Sequence, residues 1–185
     1  MKYNWYEEIH LSDDITQGDI ITSCNIPIPN VSIYNAMIDW KDSVEDSIEI
    51  RPGDFIILSQ ACDIENNKID SIVLCPVWTL EELMKTDVRY KDYKARELLR
   101  QGNQPSYHLI QNYKSDNLEM DFSVVDFHQI YTLPKDYLKK TAKDITYRIR
   151  LLPPYKEHLS QAFARYFMRV GLPSDISRDD IRKIQ

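Results

Sequence analysis

The chain has 185 residues, of which 43% are hydrophobic and 28% are charged, and this composition excludes an intrinsically disordered protein. No apolar run approaches the roughly 20 residues that cross a bilayer, and Met1 to Glu8 contain no apolar segment of a secretory signal. We therefore expect one domain over residues 1–185, located in the cytoplasm and without a membrane partner.

Charge is distributed unevenly along the chain, whose net charge is −6. Residues 1–134 hold 11 basic and 23 acidic residues, whereas residues 135–185 hold 12 basic and 6 acidic residues. A basic C-terminal part can bind an anionic partner, or it can dock on the acidic part of the same chain. Ordinary local variation on a solvated surface is a third interpretation, and all three stay open.

The first predicted elements are strands that open at glycine–aspartate pairs. Gly18-Asp19 and Gly53-Asp54 each precede an apolar run rich in β-branched residues, which is typical of a turn that leads into a strand. Between these two runs, Pro27 and Pro29 are expected to break the chain.

The second of these runs leads into a predicted hairpin. Its arms are Phe55–Ile64 and Ile69–Cys75, its turn is Glu65–Lys68, and Pro76 is expected to end it. Both arms are largely apolar, which predicts a central hairpin that is covered on both faces.

The second half of the chain mixes helices and strands. Thr79 and Glu82 have the spacing of a capping box and predict helical structure up to about Gln101, stopped by Gly102, either as one helix or as two shorter ones. Three strands and a long amphipathic helix follow in the prediction: Tyr107–Gln111, Phe122–Tyr131, Ile145–Leu151 and Tyr155–Val170. Because strands and helices do not alternate regularly, the prediction is an α+β fold. Its sheet is largely antiparallel or a partly open small barrel, with the C-terminal helix packed on it.

Candidate catalytic residues lie at the end of the first hairpin arm, in Gln60-Ala61-Cys62-Asp63. The Cys62 thiol could act as a nucleophile with His108 or His128 as its base. The alternative is structural, with Gln60 and Asp63 fixing the turn through side-chain hydrogen bonds. Cys24 and Cys75 are expected to be buried, reduced thiols.

The spacing of the candidate metal ligands does not match a known type of metal site. Asp54, Asp63, Glu65 and Lys68 resemble an acid-plus-lysine nuclease set, but Glu65-x-x-Lys68 lacks the tight spacing that would place both groups on one side of a strand. The scattered cysteines and histidines do not form a zinc pattern. The prediction is therefore that the chain has no metal and no cofactor.

Two further sets of residues are candidates. Asp126 and His128 are expected on one face of a strand, either as an acid–base pair or as an ordinary surface pair. On the last helix, His158, Gln161, Arg165 and Arg169 fall within a narrow arc, and Arg148 and Arg150 share one face of the preceding strand. These arginines either converge on a phosphate or carboxylate or pair with acidic residues of the same chain.

Two segments resemble known proteins. Ser59 to Ile64, together with Arg150 to Pro173, resembles bacterial and phage proteins to which no activity is assigned. Gly53-Asp54 to Ser59, followed by Val73 to Pro76, is similar in strand rhythm to small-barrel toxins of the MazF/PemK type. The arginine–proline step of that family is absent here, so its ribonuclease activity is assigned to no residue of this chain.

The predicted function is a non-enzymatic binding or accessory domain that recognises a protein or anionic partner through a basic C-terminal face. Its binding residues would be drawn from Gln60, Arg148, Arg150, His158, Arg165 and Arg169. Two alternatives stay open: a nucleic-acid-directed hydrolase, which would bind nucleic acid, and a thiol-dependent enzyme that uses Cys62. Whether the chain is an enzyme is left undecided at this point.

Overall fold

The computed structural model describes residues 3–12, 14–38 and 48–168. The strands are β1 Tyr6–His10, β2 Ile20–Pro29, β3 Ile48–Ile57, β4 Ser71–Thr79, β5 Tyr107–Ile110, β6 Tyr113–Lys114, β7 Glu119–Met120, β8 Ser123–Asp126, β9 Tyr131–Pro134 and β10 Tyr147–Leu151. The helices are α1 Val31–Ile38, α2 Ala61–Glu65, α3 Leu80–Thr86, a 3₁₀ helix Val88–Lys91, α4 Tyr93–Arg100, α5 Lys135–Asp144 and α6 Tyr155–Phe167.

The main sheet has the strand order β2-β3-β4-β8-β5, and β9 pairs with β4 beside this path. β1 pairs with β10, β6 pairs with β7, and every one of these pairings is antiparallel. The fold is thus α+β with a mostly antiparallel sheet and a C-terminal helix, as predicted. Over the described ranges the sheets are open, so the small-barrel alternative is not the one observed.

The paired segments of the two central strands, residues 55–57 and 74–76, are buried on both faces, as expected, whereas β3 is mostly exposed before Phe55. Side chains alternate along a strand, so Ile57 and Leu74 enter one apolar cluster, which α5 covers. Ile56 and Cys75 enter a second cluster, which α6 covers through Leu159. The second cluster is the base on which the candidate site is built.

The predicted boundaries of the central hairpin were wrong at several points. β3 begins at Ile48, and Gly53 lies inside it opposite Cys24 rather than in a turn. The strand ends at Ile57, because the next ladder donor, the Val73 N–H, is taken by the Ser59 hydroxyl at 2.8 Å. The chain then forms α2, so Cys62 and Asp63 lie on a short helix and not on a strand.

Prolines that were expected to interrupt strands lie within them. Pro27 and Pro29 belong to β2, at one end of the strand order, where a missing N–H is tolerated. Pro76 lies inside β4. Besides β3, this strand pairs first with β9, as far as Leu74, and then, after Pro76, with β8. The missing donor therefore falls at a break in the ladder.

Further differences concern the second half of the chain. The predicted strand Phe122–Tyr131 is two strands, β8 and β9, separated by a turn. The helical stretch after Thr79 is interrupted by the 3₁₀ helix, although the Thr79–Glu82 capping box and the stop at Gly102 are confirmed. Helices α1 and α5 were not predicted, and in α5 a run of lysines obscures the apolar pair Leu138 and Ala142.

The last strand and helix also depart from the expected pattern. β10 begins at Tyr147 rather than at Ile145, and its Arg148 side chain is fully buried. The predicted helix 155–170 is described as far as Phe167. Arg169 and Val170 lie outside the described residues.

Candidate anion-binding cavity

A cavity of 680 Å³ lies between the C-terminal end of α4, strand β5 and helix α6. Arg100 reaches it from the end of α4, and the loop Gln101–Pro105 forms a second wall. Gly102 adopts φ 71°, and the Gly102 and Asn103 N–H groups donate to the Leu99 and Leu98 carbonyls, so the loop leaves the helix in a closed turn.

Helix α6 provides the opposite wall through His158, Gln161 and Arg165. These positions are three and four residues apart, so they share one face of the helix. The neighbouring apolar face packs on the second cluster, in which the Phe163 ring meets the Phe127 ring edge-on at 5.4 Å. The packing of the apolar face therefore decides which polar side chains face the cavity.

The lining of this cavity is cationic. Arg100, His108, His158 and Arg165 line it, and none of the described lining residues is a carboxylate. Arg100 pairs with Glu97 on its own helix, with Nη2 2.6 Å from Oε1. Arg165 is exposed and forms no hydrogen bond or ion pair with any residue of the described ranges. Since the chain as a whole carries a charge of −6, this is a local reversal of sign.

His108 enters the cavity wall from β5, where it is paired with Val125 of β8. Its Nε2 atom is buried and, within the part of the chain that the structure describes, has no hydrogen-bond partner. Burial, reinforced by the charges of His158 and Arg165, lowers the pKa of His108 to about 4. The imidazole is therefore neutral near pH 7 and can donate or accept one further hydrogen bond.

The arginines of β10 do not contribute to this cavity. The Asp19 carboxylate, fully buried, accepts from Arg148 Nε at 3.3 Å and from Arg150 Nη2 at 3.1 Å, and it also accepts from Arg150 Nε. Arg148 further donates to the Ser12 carbonyl at 2.7 Å and to the Asp14 carbonyl. Of the predicted binding set, the structure brings His158 and Arg165 together and places Arg148 and Arg150 in an internal ion-pair network.

Gln60, Cys62 and Asp63 lie together at α2. Gln60 is its N-cap, and the exposed Cys62 has its Sγ 3.8 Å from Gln60 Oε1 and 3.7 Å from Asp63 Oδ1. Asp63 also pairs with Lys68 at 3.4 Å. The sulfur contacts oxygen acceptors, whereas a nucleophilic thiolate needs a cation or an imidazole beside it. Cys24 and Cys75 are buried and free, as predicted, and burial raises the pKa of both thiols.

Asp126 and His128 do form a pair, although not along a strand. Asp126 ends β8, and the turn that follows brings His128 Nδ1 within 2.7 Å of Asp126 Oδ1. The same carboxylate oxygen accepts the His128 backbone N–H at 2.9 Å. Because the carboxylate oxygen can only accept, this contact requires a proton on Nδ1 of the ring. Asp126 also lines a second cavity of 470 Å³, beside Trp78 and Tyr107.

No family model, curated protein or solved structure matches this chain. Within the described ranges, no group of three or more histidine, cysteine, aspartate or glutamate side chains is placed to hold a metal ion. The helices of the same ranges are all too short or too polar to span a membrane.

Sequence reasoning did not place Arg100 in the site, and it considered His108 only as a base for Cys62. Both residues reach the cavity through long-range packing of β5 and α4 against α6. The sequence did predict that His158, Gln161 and Arg165 share one face of α6, because this depends on the spacing within a single helix.

Proposed function

We propose that this chain is a non-enzymatic binding module that holds an anionic group of its partner in the cavity between α4, β5 and α6. The observation that carries the proposal is the lining of two arginines and two histidines, without a carboxylate among the described lining residues, in a chain of net charge −6. Guanidinium and imidazole groups are strong donors to phosphate and carboxylate oxygens.

The charge distribution favours a compact anion over an extended one. Nucleic-acid strands are bound along their length by many separate phosphate contacts. Here only two arginines of the described ranges, Arg100 and Arg165, line the cavity, and residues 1–134 have a strong excess of acidic residues. Acidic side chains within the Debye length of about 10 Å repel the remaining phosphates of a long strand, so one anionic group at a time is the better match.

Calorimetric titration of the full chain with inorganic phosphate, sulfate and citrate tests this proposal. We expect at least one anion to bind, and Arg165→Glu to weaken its binding at least tenfold, because the substitution places a negative charge in the cavity wall. Lys140→Glu is the matched control, since it makes the same charge change on α5, which does not line the cavity. Absence of binding by all three anions, or equal weakening by both substitutions, would contradict the proposal.

The Asp126–His128 pair supports a second candidate from another class, a nucleic-acid-directed hydrolase. An imidazole whose Nδ1 is held by a buried carboxylate is oriented to take a proton at Nε2, which is what a general base requires. Incubation of the pure protein with RNA and with DNA, in the presence of Mg²⁺ or Mn²⁺, tests this candidate. Cleavage that His128→Ala abolishes supports it, and intact substrates rule it out.

A further inference from the structure

The cavity is much larger than a single anionic group needs. Its 680 Å³ lies within the range of about 300–1,000 Å³ that is typical of small-molecule sites. At roughly 30 Å³ per water molecule it has room for about twenty waters, whereas a phosphate group displaces only a few. A ligand that fills the site therefore carries a substantial second part beside its anionic group.

The rest of the lining indicates what that second part is. Four carboxamide side chains line the cavity: Gln101, Asn103, Gln104 and Gln161. Gln101 donates to Glu97 Oε1 at 2.7 Å, and Asn103 donates to Gln101 Oε1 at 3.1 Å, so this pair is already engaged. The side chains of Gln104 and Gln161 make no hydrogen bond within residues 3–12, 14–38 and 48–168.

A carboxamide presents a donor and an acceptor side by side, which matches the edge of a nucleobase. Gln161 lies between His158 and Arg165 on α6, and these two positions are about 10 Å apart along the helix axis at 1.5 Å per residue. Amide and cationic groups are therefore within the span of one nucleotide. Tyr107 and Pro105 add apolar ring surface to the same wall.

His108 belongs to the same wall and has a hydrogen-bonding site that no described residue uses. Its buried Nε2 has no hydrogen-bond partner among the described residues, and such a group costs free energy until a partner is supplied. Arg165 and His158 lie close enough to act on its charge. A phosphate among these side chains would supply a counter-charge to Arg165, whereas an acceptor could reach His108 Nε2 only after the side chains that cover this atom move aside.

We propose that this cavity binds a nucleoside phosphate, with the phosphate at Arg165 and His158 and the base edge at Gln104 and Gln161. The inference rests on the proposed anion-binding function and adds the ligand class. A free nucleotide and the terminal nucleotide of a strand present the same chemistry, and the experiment separates them.

The test is calorimetric titration of the full chain with four probes: the nucleoside 5′-monophosphates, the corresponding nucleosides, inorganic phosphate and a 5′-phosphorylated trinucleotide. We expect at least one monophosphate to bind ten times more tightly than inorganic phosphate. Gln161→Ala and Gln104→Ala should each reduce this advantage, because each removes a carboxamide that would meet the base edge. Gln129→Ala is the matched control, because Gln129 lines the other cavity.

Each result has a distinct meaning. Tighter binding of the trinucleotide than of any monophosphate identifies the strand end as the source, and the reverse order identifies the free nucleotide. Phosphate binding that equals nucleotide binding, or a nucleotide advantage that survives both Gln161→Ala and Gln104→Ala, overturns the inference and leaves the anion-binding function intact. Nucleosides that bind as tightly as nucleotides overturn it as well. Absence of binding by every anionic probe overturns both proposals.

Discussion

Asp19 shows how one residue organises a large part of the molecule. Its carboxylate is fully buried, and it satisfies Arg148 and Arg150 of β10 as well as the Thr16 N–H at 3.3 Å. Asp19 thereby supplies the counter-charge that the fully buried Arg148 requires, while Arg150 also pairs with Glu7 at 3.5 Å. The network also joins the turn before β2 to β10, 129 residues later in the chain.

Replacing Asp19 with Asn should be strongly destabilising. The amide keeps the shape but leaves the buried Arg148 charge uncompensated, so we expect the free energy of unfolding to fall by about 3–5 kcal/mol. Urea denaturation at pH 7 measures it. Glu49→Gln is the control, because its partner Arg51 is exposed, and such surface pairs contribute at most about 1 kcal/mol. Equal effects of the two substitutions would show that the Asp19 network is not a buried ion pair in solution.

His108 should make the stability of the protein depend on pH. The folded state lowers the pKa of its ring from 6.5 to about 4, so between these values the unfolded chain binds more protons and stability falls as pH falls. Relative to His108→Gln, the wild type should lose on the order of 3 kcal/mol between pH 7 and pH 4. Urea denaturation across this range measures the difference, with His10→Gln as the control at an exposed histidine. A difference that stays constant with pH would contradict the burial of a neutral ring.

At the scale of elements, two glycines of the described ranges, Gly18 and Gly102, have a positive φ. One precedes a strand and the other follows a helix, and the atoms around them differ. Gly18 has φ 89° before β2, and a Cβ there would lie 3.0 Å from the Leu151 carbonyl oxygen. Gly102 has φ 71° after α4, and a Cβ there would have no atom within 4 Å. Gly53, which has the same Gly-Asp pattern as Gly18 in the sequence, lies inside β3 instead.

These surroundings predict different costs for the same substitution. Gly102→Ala should lower the free energy of unfolding by about 1 kcal/mol, which is the cost of a left-handed backbone for alanine. Gly18→Ala should cost at least twice as much, because a backbone oxygen of β10 cannot move aside without breaking the Leu151 N–H bond to the Gly18 carbonyl. Thermal and urea denaturation of both variants measures the two losses in the free energy of unfolding. Equal losses would show that β10 shifts to accommodate the added Cβ with little loss of stability.

At the scale of the whole molecule, the N-terminal strand positions the helix that lines the cavity. The Trp5 ring stacks on Tyr155, the first residue of α6, with ring centroids 3.7 Å apart. The Leu152 N–H donates to the Trp5 carbonyl at 2.7 Å, just before the helix begins. β1 and β10 therefore anchor α6 at its N-terminal end, although Trp5 does not line the cavity.

Trp5→Ala should consequently weaken anion binding from a distance. We expect a loss of roughly 2–3 kcal/mol in stability, together with a several-fold weaker affinity for whichever anion the calorimetric titration shows to bind. Tyr3→Ala is the control, because Tyr3 is 58% exposed. A Trp5→Ala protein that is destabilised but binds the anion unchanged would show that α6 keeps its position without the stack.

The elements that could be predicted from the sequence depend on neighbours within about one helical turn. The capping box at Thr79 and Glu82, the turns at Gly18 and Gly102 and the apolar face of α6 are all of this kind. Strand boundaries in the central hairpin were missed, because the Ser59 hydroxyl takes over a ladder bond from a strand fourteen residues away. The hydrophobic periodicity of the segment does not show that a serine hydroxyl will replace a backbone carbonyl as the acceptor.

What the sequence alone determined was therefore the α+β class, the buried double-faced hairpin and the basic face of the last helix, since hydrophobic periodicity and helical spacing act locally. Only the tertiary structure decided which charged side chains are buried in ion pairs and which line the cavity. Arg148 and Arg165 look alike in the sequence, yet Arg148 is buried against Asp19 and Arg165 faces a cavity with His108. The physical reason is that a charge is satisfied by whatever side chains packing brings to it, and packing brings partners from more than a hundred residues away.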